Sequence, residues 1–147
     1  MPRGGRRVCF PSMSTFPPTP PAALLVDDDS WVRGPLRALL EVLGFTVEEA
    51  ADGESALRAV RDTPDAWAFV LLDVRLPRMS CAEVLEGLLA ARPDLPVLLH
   101  TGFERWQLSP GLFRMGRVGF LAKPARLVDL TAALQQLQVD VPEPVRA

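Results

Sequence analysis

At 147 residues, 48% of them apolar, the chain is long enough for one domain with a packed core and too short for two comfortable ones. Its net charge of −2 is unevenly spread: residues 1–21 carry Arg3, Arg6 and Arg7 and no acid, which leaves 13 basic against 18 acidic residues, or −5, in the remainder. A mildly acidic globule argues against a nucleic-acid-binding face, no apolar run approaches the ~18 residues of a membrane span, and Cys9 and Cys81 match no metal or redox spacing.

Residues 1–21 are rich in proline, glycine and arginine without periodicity, and they read as a disordered arm, with Met13 as a second plausible start. The arm is basic but has no secretory h-region, and free thiols suit a reducing compartment, so the cytoplasm is the expected location. One domain is expected over 22–138, followed by a frayed tail at 139–147.

From Ala22 onward, strand and helix signals alternate. The first strand, about 23–26, runs into Asp27-Asp28-Asp29. A helix follows, capped by Asp29 or Ser30, with an apolar stripe at Val32, Leu36, Leu39, Leu40 and Leu43 and with Gly44 as its C′ glycine. Pro35 is tolerable only near a first turn, so this helix is expected to start late or to kink. The second strand is Thr46–Ala50, and Asp52 caps a helix whose apolar side is Ala56, Leu57 and Val60. The third strand, 69–72, is continuously apolar, as in a strand buried on both faces of a parallel sheet, and it delivers Asp73 to the carboxyl edge. Ser80 and Glu83 form a capping box for a third helix carrying Val84, Leu85, Leu88 and Leu89. Pro93 and Pro96 bracket the turn into the fourth strand, 97–100, which leads to Thr101. Period two sends His100, the only histidine, to the opposite face from Thr101, as a packed residue. The fourth helix is poorly specified, because Pro110, Gly111 and Gly116 interrupt residues 104–118. The fifth strand, about 119–122, ends at Lys123, and Leu127, Leu130, Leu134 and Leu137 mark the fifth helix. Five β-α units with short links predict an α/β fold, a doubly wound five-stranded parallel sheet with flanking helices.

Four strand ends therefore bring carboxylates, a hydroxyl and an ammonium to one edge. An aspartate is a competent nucleophile for phosphoryl transfer. Mg2+ takes carboxylates and phosphate oxygens, and a lysine compensates charge on the phosphoryl oxygens as a compact point charge. Asp27, Asp28, Asp73, Thr101 and Lys123 supply these parts. Lys123 is the only lysine among 16 cationic residues, which marks it as a position where a guanidinium does not fit. Asp29 reads best as a cap, and Cys81 as a small apolar filler.

The motifs LLVDDD at 24–29, LLDVRLPRM at 71–79, Thr101 after VLLH, and GFLAKP at 119–124 resemble the receiver domain of bacterial two-component response regulators. The resemblance covers about 22–138 and implies a flavodoxin-like fold in which Asp73 accepts phosphate from a sensor histidine kinase or a histidine phosphotransfer protein. It implies that Asp27, Asp28, Asp73 and the Arg75 backbone carbonyl hold Mg2+, and that Thr101 and Lys123 contact the phosphoryl oxygens. It further implies a cis Lys123–Pro124 peptide and places Phe120 where the family has its switch aromatic. Two departures stand out. Ser80-Cys81 replaces the usual Asp-Gly, which removes a glycine able to adopt positive φ in the loop after Asp73. The weak fourth helix is more like receivers of hybrid sensor kinases than those of transcription factors.

Rival chemistries fit less well. A phosphatase of the haloacid dehalogenase type would need an acid two residues after Asp73, where Arg75 stands, and a nucleotide site would need a glycine-rich loop where the acidic triplet stands. Only 24 residues (147 − 123) follow Lys123, too few for an output domain. The expectation is a single-domain response regulator, not an enzyme beyond Mg2+-dependent self-phosphorylation and self-dephosphorylation, that contacts a downstream protein target and neither nucleic acid nor membrane. The alternative is a receiver fold retained as a protein-binding module that is not phosphorylated.

Overall fold

A computed structural model describes residues 21–142, so the expected arm up to Pro20 and the tail beyond 142 lie outside the described residues. The elements are β1 (Ala22–Val26), α1 (Ser30–Val42), β2 (Thr46–Ala50), α2 (Gly53–Asp62), β3 (Trp67–Asp73), α3 (Cys81–Ala91), β4 (Val97–Thr101), α4 (Pro110–Arg114), β5 (Val118–Ala122) and α5 (Leu127–Gln136). Short 3-10 turns at Pro64–Ala66 and Arg105–Gln107 precede β3 and α4. The five strands are parallel in the order β2-β1-β3-β4-β5. That is the expected doubly wound α/β sheet, and its order reverses between β1 and β3, where such folds open a crevice at the strands' carboxyl ends. No helix among the described residues is long and apolar enough to cross a membrane.

Strand alternation divides the core into two layers. Val70 and Leu72 of β3 face a layer closed by Ala56, Leu57 and Val60 of α2 and by Val84, Leu85 and Leu88 of α3. Phe69 and Leu71 face the other, closed by Leu36 and Leu40 of α1 and by Leu130 and Leu134 of α5. Burial on both sides is why β3 reads as an unbroken apolar run. At Gly87 a β-carbon would stand 2.5 Å from Leu57 Cδ2, so the absent side chain is what lets α2 lie close against α3.

The helix ends follow their sequence signals. Asp29 caps α1 through the Trp31 N–H, Asp52 caps α2 through the Ser55 N–H, and the Ser80–Glu83 capping box of α3 is complete. Gly44 follows α1 at φ 95°, a conformation that costs glycine nothing. Pro35 does not delay the helix: α1 begins at Ser30 and runs through it. The carbonyl deprived of its partner belongs to Trp31, whose side chain is 87% exposed, so water can reach this turn. The fourth helix is short, as the sequence implied, with only Leu112 buried.

His100 is packed on the α1/α5 side, 2% exposed, and neither ring nitrogen has a hydrogen-bond partner. Burial, assisted by the nearby Lys123 charge, pushes its pKa down to about 4. The unfolded chain takes up a proton near pH 6.5, whereas the folded chain refuses it until about pH 4. Stability is therefore complete above pH 6.5 and falls on acidification through that window, by on the order of 3 kcal/mol at its lower end. Denaturant unfolding of wild type and His100→Leu between pH 7.5 and 4.5 checks this: the variant is expected to lose the His100 share of the slope, and parallel slopes would refute it.

Candidate functional site

The crevice at the β1/β3 reversal collects the residues singled out from the sequence. Asp27 follows β1 directly, and its N–H continues the ladder by donating to the Ala50 carbonyl at 3.1 Å. Asp73 is the last residue of β3, and Thr101 the last of β4. All three are buried, at 1%, 5% and 1% exposure, while Asp28 is exposed. Oxygens of Asp27, Asp28 and Asp73 lie within 4.8 Å of one another. Lys123 enters after β5, with Nζ 3.3 Å from Asp73 Oδ1 and 3.5 Å from Asp27 Oδ2. Its backbone N–H donates to the Thr101 carbonyl at 2.8 Å, which fixes its start, and the Lys123–Pro124 peptide is cis.

Burial raises the Asp73 pKa, and the Asp27 charge adds to the effect; the Arg75 N–H, donating to Oδ1 at 3.2 Å, and Lys123 oppose it. Two buried carboxylates facing one ammonium leave negative charge in excess, and the fold carries that repulsion at neutral pH. A cluster of three carboxylates supplies the hard oxygen donors that a divalent cation takes, and a cation there would relieve the repulsion, so the residues fit such a group. The Thr101 hydroxyl accepts the Phe103 N–H at 3.0 Å and keeps its own proton to donate.

The loops above the site are tied to each other. The Arg75 guanidinium lies over the Phe103 ring, 5.2 Å from its centroid, joining the loop after Asp73 to the loop after Thr101. The sequence drew attention to the Arg75 carbonyl alone and not to this side chain. The concern over Ser80-Cys81 resolves differently from expectation. Ser80 is extended at φ −75° and caps α3, Cys81 is its first helical residue, and the positive φ of this loop falls on Arg78, at 68°. A non-glycine residue there costs roughly 1–2 kcal/mol. The Arg78 guanidinium reaches Asp52 at 3.0 Å and Glu54 at 3.2 Å, tying the loop to the first turn of α2. Cys81 is half-buried, and burial, with the Asp73 charge, pushes its thiol up to about 11, so it is inert filler. Phe120 is half-buried against the α2/α3 layer.

Sequence reading missed Arg33. It donates to the Asp27 carbonyl and pairs with Glu49 across β2. The signal was Arg33 and Arg37 one turn apart on α1, opposite an acid on the neighbouring strand.

Comparison with known proteins agrees with this geometry. The response regulator receiver domain family matches residues 23–135. Response regulator MprA of Mycobacterium leprae is 39% identical over 115 residues, covering 78% of this chain and 49% of the relative. The C4-dicarboxylate transport transcriptional regulatory protein DctD of Rhizobium meliloti is 34% identical over 104 residues, covering 71% of this chain and 22% of its own. The chain thus spans about half or less of the curated relatives it matches. Among solved structures, the receiver domain of the hybrid histidine kinase CckA is 30% identical with a TM-score of 0.66, covering 80% of this chain and 99% of that one. A receiver domain protein from Clostridium thermocellum, 24% identical with a TM-score of 0.73 over 80% and 93% of the two chains, matches in fold. By its sequence, strand order and acidic crevice, the chain belongs to the response regulator receiver domain family.

Proposed function

We propose that Asp73 accepts a phosphoryl group from a sensor histidine kinase or a histidine phosphotransfer protein, and that the phosphorylated chain signals by contact with a downstream protein. The observation that carries this reading is the Asp73 carboxylate, buried at the end of the central strand yet 3.3 Å from an ammonium. In the reaction an Asp73 oxygen attacks phosphorus, the phosphorus–nitrogen bond of the donor phosphohistidine breaks, and the imidazole leaves with its electron pair. Asp27, Asp28, Asp73 and the Arg75 carbonyl would hold Mg2+, which neutralises phosphoryl oxygens during transfer. Lys123 places a positive charge beside Asp73, and the Thr101 proton is available to a phosphoryl oxygen. Turnover is limited to self-phosphorylation from small donors and hydrolysis of the acyl phosphate. The reading puts the chain in the cytoplasm, where kinases draw on nucleotide, and its partners are proteins.

The experiment is to incubate the protein with a small phosphodonor and Mg2+ and to weigh it intact. One phosphoryl group is expected on wild type and none on Asp73→Asn; a full mass increase in the variant would move the acceptor elsewhere. Millimolar Mg2+ is expected to raise the melting temperature, and Asp28→Ala to remove most of that rise. An unchanged wild-type melting curve, with no mass increase, would favour the unphosphorylated binding module instead.

Phosphorylation adds dianionic charge beside Thr101 and Lys123, and only contacts that differ between two states can shift their balance. Drawing the Thr101 hydroxyl towards the phosphoryl group loosens the space beside Phe120, and the five-residue α4 is held by a single buried side chain, Leu112. Beryllofluoride is therefore expected to change hydrogen exchange mainly in 101–123 and not in α2. Thr101→Ala should keep phosphorylation yet blunt that change; exchange altered only in 27–29 and 73–81 would mean that no switch propagates.

A further inference from the structure

Asp27 is tethered on every side, and one tether comes from outside the crevice. Its N–H is held by β2, its Oδ1 accepts the Asp29 N–H at 2.9 Å, and its Oδ2 faces Lys123 at 3.5 Å. Its carbonyl accepts Arg33 Nη1 at 2.6 Å. Arg33 stands one turn into α1, and its Nε is taken by Glu49 Oε1 at 2.7 Å on the edge strand β2. The second Glu49 oxygen accepts Arg37 Nη1 at 2.6 Å, and Arg37 Nε reaches Glu41 at 3.2 Å. Both arginines, Arg37 foremost, hold the Glu49 carboxyl below the usual range. A planar guanidinium used in two directions is stiffer than an ammonium on the same stem.

The Asp27 carbonyl belongs to the peptide plane that joins Asp27 to Asp28. Fixing that oxygen fixes the plane, and the plane sets how the two consecutive side chains diverge. Asp27 is aimed by packing, but Asp28 is exposed, so the peptide plane is what orients it. We propose that Arg33, braced by Glu49, is a positioning residue for the cation site, holding the Asp27–Asp28 peptide so that both carboxylates converge with Asp73. The inference rests on the Mg2+ reading above and adds to it a support reaching from α1 and the sheet edge. It also has a sign that electrostatics alone would not give. A cation near a cation site repels Mg2+, so its removal would tighten binding if charge were its only role, whereas loss of a positioning contact weakens binding.

The test is a titration of the full chain with MgCl2, followed by the heat of binding, with melting curves alongside. Arg33→Met is expected to weaken Mg2+ binding by about tenfold, the scale on which outer-shell partners act. Arg33→Lys, which keeps the charge but not the two-way fork, is expected to recover only part. Arg126→Met makes the same charge change at the N-cap of α5, where the guanidinium pairs with Asp129 and touches neither Asp27 nor Glu49, and is expected to bind nearly as wild type does. Unchanged or tighter binding by Arg33→Met would overturn the proposal, as would an equal loss in Arg126→Met. Should Arg33→Met fail to fold, Glu49→Gln carries the test against Glu48→Gln, which removes the same charge from the neighbouring residue of β2: a loss several-fold greater in Glu49→Gln supports the brace, and equal affinities overturn it. A wild-type chain that shows no response to MgCl2 would overturn the metal reading itself, an outcome separate from these.

Discussion

Two buried carboxylates share one ammonium, and most of what is particular to this molecule answers that imbalance. Asp27 and Asp73 end adjacent strands, so the sheet itself sets them close, and neither can turn away without breaking the ladder that holds it. Lys123 lies within 3.5 Å of both but cancels only one charge. What remains is a standing deficit of positive charge in a partly dry place, where interactions are stronger than in water. A site in that condition suits a cation, and a cation there would offset the charge of an incoming phosphoryl group, which is the logic of the proposed chemistry.

The surrounding contacts divide into those that hold the acids and those that join the loops. Backbone donors from Asp29, Arg75 and Phe103 reach Asp27, Asp73 and Thr101, so each side chain that matters is pinned by the loop that follows its own strand. Side chains then couple loop to loop and loop to helix, through Arg75 over Phe103 and Arg78 on Asp52 and Glu54. Such pairs are exposed and individually weak. Their value is that they act between segments with no backbone hydrogen bonds in common.

The strands and caps were legible because their signals are local. Leu24 to Val26 and Phe69 to Leu72 announce buried strands within a few residues, and Asp52 or Ser80 announces a helix start by position alone. The meeting of Asp27, Asp73, Thr101 and Lys123 followed from topology, since parallel strands place their carboxyl ends together. What stayed hidden depends on side chains that travel. Arg33 and Glu49 are 16 residues apart, and Arg78 and Asp52 are 26, so each pairing is read only once the elements that carry it have been set side by side. The left-handed turn falls on Arg78, three residues before the Cys81 position where the sequence lacks the usual glycine, because sequence shows which residue adopts such a conformation easily, not which one the loop compels. Pro35 misled for a related reason: proline costs a helix interior a hydrogen bond and a clash with the carbonyl four residues back, and a helix packed along Leu36 and Leu40 can carry that cost.

The sheet has two open edges, and the one formed by β2 is only five residues long. Its midpoint is Glu48, with Glu49 beside it, both exposed. A second copy laying its own β2 antiparallel against this edge, centred on the same residue, would set Glu48 against Glu48. Like charges directly opposed across a strand pair are destabilising, and short charged edges are how soluble sheets resist extension by a neighbour. Glu48 therefore keeps the sheet from growing beside the Glu49 that holds Arg33, so that substitutions which neutralise this strand bear on solubility as well as on the setting of the crevice.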